Sequence, residues 1–105
     1  MITTITFNPA IDKRYKVSEV GIGHVNRVEE VIYGAGGKGI NCTRVIAQLG
    51  HEVTATGFLG GFNGEFIINE LEKMQVKSCF TKIDGETRIC IAVADKQENH
   101  TEFLE

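Results

Sequence analysis

Four glycines and a lysine are packed into Tyr33-Gly-Ala-Gly-Gly-Lys-Gly-Ile-Asn41, just ahead of a helical pattern. Glycine admits positive φ and lets a ligand reach the backbone with no Cβ in the way. The mouth of a helix adds free N–H groups and the positive end of its dipole. An oxygen-rich or anionic ligand suits that combination, and Lys38 brings a full positive charge. A tight loop-to-helix turn is the plain alternative.

Other side chains fit the same chemistry. Asp12 falls just past the first expected strand, where open α/β sheets bind ligands, and could accept hydrogen bonds from hydroxyl groups. It serves equally as a turn aspartate before Lys13-Arg14. Asn41, two residues into the expected helix, offers both a donor and an acceptor. Arg27 and Arg88, on expected flap strands, could grip a phosphate bidentately, although solvated strand arginines are common. Gly34-x-Gly36-x-x-Gly39 formally matches the dinucleotide fingerprint. Its context fails: the preceding segment is charged, and Phe58-Leu59-Gly60 stands where the acidic residue belongs. A P-loop fails as well, with Ile32 in a glycine position and Gly39 in place of the magnesium-binding Ser or Thr. Glu86 and the Glu29-Glu30 pair have no acid/base spacing and read as exposed.

The elements that must position these residues follow from periodicity. Ile2–Phe7 is β-branched and reads as a strand, stopped by Asn8-Pro9. Tyr15–Val17 and His24–Ile32 read as short, partly polar strands around Gly21 and Gly23. Cys42, Val45, Ile46 and Leu49 form one apolar stripe, predicting a helix from about Gly39 to Leu49 with Gly50 as its stop. Val53–Leu59 reads as a buried strand. Asn63 is a candidate N-cap for a second helix marked by Ile67, Leu71 and Met74. Phe80–Ile83 is a weak strand, Asp84-Gly85 a turn, Arg88–Ala94 a strong strand, and Thr101–Leu104 a return beside it. Strands joined by helical crossovers make an α/β pattern with parallel pairing. A parallel sheet needs both faces covered, and these elements leave it open, so the chain reads as a fragment.

Composition narrows the class. A chain of 105 residues, 42% hydrophobic and 24% charged with one proline, reads as one ordinary globular unit. A net charge of −3 with mixed signs shows no basic stripe for nucleic acid. Neither a membrane span nor a signal peptide is visible. Cys42, Cys79 and Cys90, odd in number and free of C-x-x-C spacing, read as reduced, buried residues of a cytoplasmic protein. His24, His51 and His100 show no metal-ligand spacing.

Five blocks in order cover the whole chain: Asn8-Pro9-Ala10-Ile11-Asp12, Val25-Asn26-Arg27, Ala35-Gly36-Gly37-Lys38-Gly39-Ile40-Asn41, Gly57-Phe58-Leu59-Gly60-Gly61 and Gly85-Glu86-Thr87-Arg88. Together they resemble the start of the ribokinase-like (PfkB) carbohydrate kinases, and within them the phosphosugar branch of tagatose-6-phosphate kinase and 1-phosphofructokinase. The resemblance implies the N-terminal part of a Rossmann-like α/β domain with a small β-sheet lid. Lid segments would be about 13–32 and 88–104, and core segments 1–12 and 33–87. It implies that Asp12 binds substrate hydroxyls, that Gly36, Gly37 and Asn41 line the sugar pocket beside Lys38, and that Arg27 and Arg88 contact the sugar's phosphate. ATP and Mg2+ would be the cofactors, and a homodimer through the lid the assembly. The family's second glycine-rich motif, with its catalytic base and ATP pocket, would lie beyond Glu105. No catalytic residue or metal ligand is therefore expected here, and the piece alone is expected to be inactive. A stand-alone sugar-phosphate-binding or regulatory module is the alternative.

Overall fold

The computed structural model describes every residue from Met1 to Glu105. β-Branched residues start the chain as β1 (Ile2–Thr6), and Phe7-Asn8-Pro9 then carry it out of one sheet and into another. There β2 (Ala10–Lys16) and β3 (Glu30–Gly36) pair antiparallel. Helix α1 (Lys38–Gln48) leads back to β4 (Val53–Leu59), and α2 (Gly61–Lys73) to β5 (Lys77–Lys82). A final hairpin, β6 (Arg88–Ala94) and β7 (His100–Leu104), returns to the second sheet. The first sheet is parallel, in the order β1-β4-β5, and the second is mixed, in the order β3-β2-β6-β7. No helix is long and apolar enough to cross a membrane.

Alternation decides where the core lies. Val53, Ala55 and Leu59 project from one face of β4 and pack with Ile40 of α1 and Ile67 and Leu71 of α2, all buried. Ile11 and Ala35 join this cluster from the second sheet, so the helices hold both sheets together. Thr43 of α1, fully buried, meets the Thr4 hydroxyl at 2.5 Å and donates to Gly39 O at 2.8 Å. The opposite face of the parallel sheet carries Ile5, Thr56 and Phe58 with no element over it, and Phe7 stacks on Phe58 there at 6.1 Å. Ile5 stays 60% exposed and Phe7 75%.

Several sequence expectations are corrected. His24–Val28 is not a strand. The Asn26 side chain accepts from Gly21 N–H and donates to Gly21 O and His24 O, which closes the segment into a turn. Proline stops β1, yet a strand resumes at once, so Asp12 lies inside β2 and not beyond a strand end. Cys42 and Cys79 are exposed, and Cys90 is buried as expected.

Asn63 is helical and caps nothing. The α2 start is capped from a distance by Glu86, whose carboxylate accepts from the N–H groups of Phe62 at 3.0 Å and Asn63 at 2.9 Å. A carboxylate there suits the orphan N–H groups and the helix dipole. Next to it, buried Thr87 accepts from Gly60 N–H at 3.0 Å, and its own N–H donates to Gly60 O at 3.1 Å. Thr87→Val keeps the shape but strands the Gly60 donor, so urea unfolding should show a loss of about 1–3 kcal/mol. An unchanged midpoint would mean that this bond contributes nothing net.

The β6–β7 turn is tied by Asp95, which accepts from Asn99 Nδ2 and from the N–H groups of Asn99 and Gln97. These bonds, the Asn99 side chain first, hold its carboxyl below the ordinary value of 3.8. A depressed carboxyl stabilises the fold above its unfolded pKa, and the contribution fades as pH falls through the folded one. Protection of the Gln97 and Asn99 amides, taken relative to their intrinsic exchange rates, should therefore be full above the unfolded pKa and fall as the pH drops through the folded one, while Asp95→Ala should show little protection throughout. Equal protection in that variant would rule out the carboxylate as the tie.

Candidate functional site

The site is built around an elbow in which β3 passes straight into α1. Gly37 holds φ 114°, a region that favours glycine, and a Cβ there would lie 2.9 Å from Thr6 Cγ2 and 3.2 Å from Pro9 Cα. Gly36 is glycine for a different reason: a Cβ would fall 2.0 Å from Asp12 Oδ2. The carboxylate of β2 thus rests directly on the end of β3. The sequence placed these glycines in a loop, but Gly34 and Gly36 belong to the strand.

The α1 N-terminus has no side-chain cap and no acidic residue in its first turn. It borders a cavity of about 840 Å³ between the second sheet and the helices. Asp12, Gly37, Lys38, Asn41 and Arg88 all line this cavity. Gly36 supports it from beneath Asp12. Arg27 is exposed, lies outside every strand and is not among the lining residues. Five of the seven residues singled out from sequence therefore line one cavity, a sixth underlies it, and Arg27 stands apart.

Arg88 is the most constrained of them. One guanidinium nitrogen donates to Asn8 O at 3.0 Å and the other to Glu105 O at 3.2 Å, while buried Nε has no partner. A guanidinium has five N–H donors, so three remain free. Residues not picked out from sequence also line the cavity. Lys73 pairs with Glu70 at 3.3 Å from the end of α2, and Lys13 lies 5.4 Å from the centre of the Tyr33 ring. Only the fold brings α2 here. Arg44 lines it too, one turn after Asn41, and that spacing was visible in the sequence.

The arrangement can bind a polyhydroxylated anion. Acceptors come from Asp12, donors from Asn41 and the α1 backbone, and positive charge from Lys38, Arg88 and Lys73. No group of three or more His, Cys, Asp or Glu side chains in the chain could hold a metal ion. Gly36→Ala should displace the Asp12 carboxylate and weaken binding of a hydroxylated anion while leaving the fold intact. Gly37→Ala should instead strain the elbow and lower stability by about 1–3 kcal/mol. Equal affinity in Gly36→Ala would remove Asp12 from the site.

Residues 3–105 match the family described as pfkB family carbohydrate kinases. Among solved structures, a Staphylococcus aureus protein proposed to be a phosphofructokinase is 41% identical with a TM-score of 0.90, covering 100% of this chain. A Thermotoga maritima protein proposed to be a 1-phosphofructokinase is 32% identical over 100% of this chain, with a TM-score of 0.90. Phosphofructokinase-2 from Escherichia coli in complex with fructose 6-phosphate is 27% identical over 99% of this chain, with a TM-score of 0.93. The chain spans about a third of these relatives, 34% of the first and 35% of each of the other two.

Proposed function

The chain belongs to the pfkB family carbohydrate kinases, and we propose that it carries the sugar-phosphate-binding half of an enzyme converting a ketohexose phosphate to the bisphosphate. Tagatose 6-phosphate and fructose 1-phosphate are the substrates favoured by the sequence blocks. The observation that carries this reading is the uncapped start of α1, facing one cavity with Asp12, Lys38, Asn41 and Arg88. In the mixed sheet, β2, β3, β6 and β7 would form the lid. Asp12 would accept from sugar hydroxyls. Asn41 and the backbone at Gly36–Gly37 would line the sugar, and Lys38 and Arg88 would face its phosphate. Arg27 would take part only if the segment from Val17 to Glu29 closed over the cavity.

Kinases of this family use ATP and a metal ion. The cavity has donors for phosphate oxygens but no cluster of metal ligands, so no phosphoryl-transfer step is assigned to these residues. Their part is to bind and orient the acceptor sugar and to keep water from it. A homodimer through the lid is the assembly we favour, because β7 is an edge strand, exposed along its length, that presents Phe103 and Leu104. A second reading, a sugar-phosphate-binding module without catalysis, draws on the presence of Asp12, Lys38, Asn41 and Arg88 together in this chain.

Titration of the 105-residue chain with each sugar phosphate tests both readings. Binding is expected, and Arg88→Ala should weaken it by about 1.5–3 kcal/mol, the range for hydrogen bonds to charged groups. An ADP-release assay on the same chain should show no turnover. Unaltered affinity in Arg88→Ala would remove that residue from the site, and turnover would overturn the division of labour.

A further inference from the structure

Arg44 donates from Nη1 to Asn41 Oδ1 at 3.0 Å and from Nη2 to the carbonyl of Ala35. The first partner lies in the opening turn of α1 and the second near the end of β3, so the planar fork spans the Gly36–Gly37 elbow. Spacing of three residues puts Arg44 and Asn41 on the same helix face. A guanidinium only donates, so the Asn41 atom facing it must be the oxygen. Both hydrogens on Asn41 Nδ2 are then left for other partners.

We propose that Arg44 is a positioning residue that fixes Asn41 as a donor toward the cavity, so that the ligand group opposite Asn41 must be an acceptor oxygen. The inference rests on the sugar-phosphate reading above. An unrestrained asparagine could turn either its oxygen or its nitrogen to a ligand and read donors and acceptors alike. With the oxygen held by Arg44, Asn41 complements Asp12, which only accepts when ionised. Arg44 also anchors α1 to β3 through Ala35, and this keeps the donor in place relative to the Asp12 carboxylate. Lysine could not replace it fully, because a single ammonium lacks the flat fork that meets two carbonyl oxygens at once.

Arg44 itself lines the cavity, so the test must separate positioning from direct contact. The 105-residue chain is titrated with fructose 1-phosphate and tagatose 6-phosphate as wild type, Asn41→Ala, Arg44→Ala, Arg44→Lys and the Asn41→Ala/Arg44→Ala double variant. Each of the two alanine variants should lose about tenfold in affinity, and the double variant no more than Asn41→Ala alone. Arg44→Lys should fall between wild type and Arg44→Ala. Losses that multiply in the double variant would mean that Arg44 touches the ligand directly, and would overturn the proposal.

Nitrogen relaxation of the Asn41 side-chain amide, measured without ligand, gives the second readout. The amide should be restrained in wild type, freer in Arg44→Lys and freest in Arg44→Ala. Equal mobility in all three would also overturn the proposal. If neither sugar phosphate titrates the wild-type chain, the binding reading fails, while the amide measurement still decides the role of Arg44. Should Arg44→Ala not fold, Arg44→Lys and Arg44→Met carry the same comparison.

Discussion

Close approach of neighbouring side chains and backbone to the glycines of the β3–α1 elbow is the constraint on which the rest of the structure depends. Three glycines there are each required by a different neighbour. Gly36 yields to the Asp12 carboxylate, Gly37 to Thr6 and Pro9, and Gly39 to the Thr6 hydroxyl and Ile5 carbonyl, 2.2 and 2.5 Å from where its Cβ would lie. The first turn of α1 is thereby pressed against the end of β1, and the end of β3 against the Asp12 side chain of β2. A larger residue at Gly37 or Gly39 would collide with β1 or Pro9 and push the helix start outward, whereas one at Gly36 would meet only the Asp12 side chain. The glycines fix a distance as much as a conformation.

The two helices show what that distance is for. Both begin at a glycine after a strand, and both would present unsatisfied N–H groups. At α2 the chain fills the position with its own carboxylate, Glu86, held against Gly61, where a Cβ would meet Glu86 Oε2 at 1.9 Å. At α1 no side chain does so, and the residues around it supply positive charge and hydrogen-bond donors. One helix start is satisfied by the fold's own carboxylate and the other has no side-chain cap. The contrast lies in the packing, since glycine-rich approaches precede both helices in the sequence.

Much of this was legible before folding, and the losses have definite causes. The helix periods and the Val53–Leu59 and Arg88–Ala94 strands came through because tertiary packing agrees with local pattern there. Asp12 lines the cavity but from a different place than expected, because proline was read as ending the strand region, whereas it only redirects the chain between sheets. Asn63 was taken for a cap since local rules favour it, yet a carboxylate from Glu86 outcompetes it. Glu86 itself looked like a solvated charge, because nothing local shows that a residue more than twenty positions away will meet a helix end. Arg44 shows a softer failure. Its spacing from Asn41 was visible, but its second partner, Ala35, becomes a neighbour only once the elbow forms.

The placement of the cavity follows from the same layering. Every lining residue comes from the second sheet, the elbow, α1, or α2 with the Met74 that follows it, and none from the bare face of the parallel sheet. Alternation along β4 separates the two sides cleanly, since Val53, Ala55 and Leu59 meet the helices while Thr56 and Phe58 turn away. Exposed Ile5, Phe7 and Phe58 therefore bear on the stability of the sheet, because a parallel sheet relies on cover over both faces. The cavity-lining groups depend on the other face, where buried Ile40, Ile67 and Leu71 set the height of the helices under the second sheet. A substitution on the bare face should then change how firmly the chain folds without moving Asp12 or Asn41, whereas one at Ile40 would disturb both together.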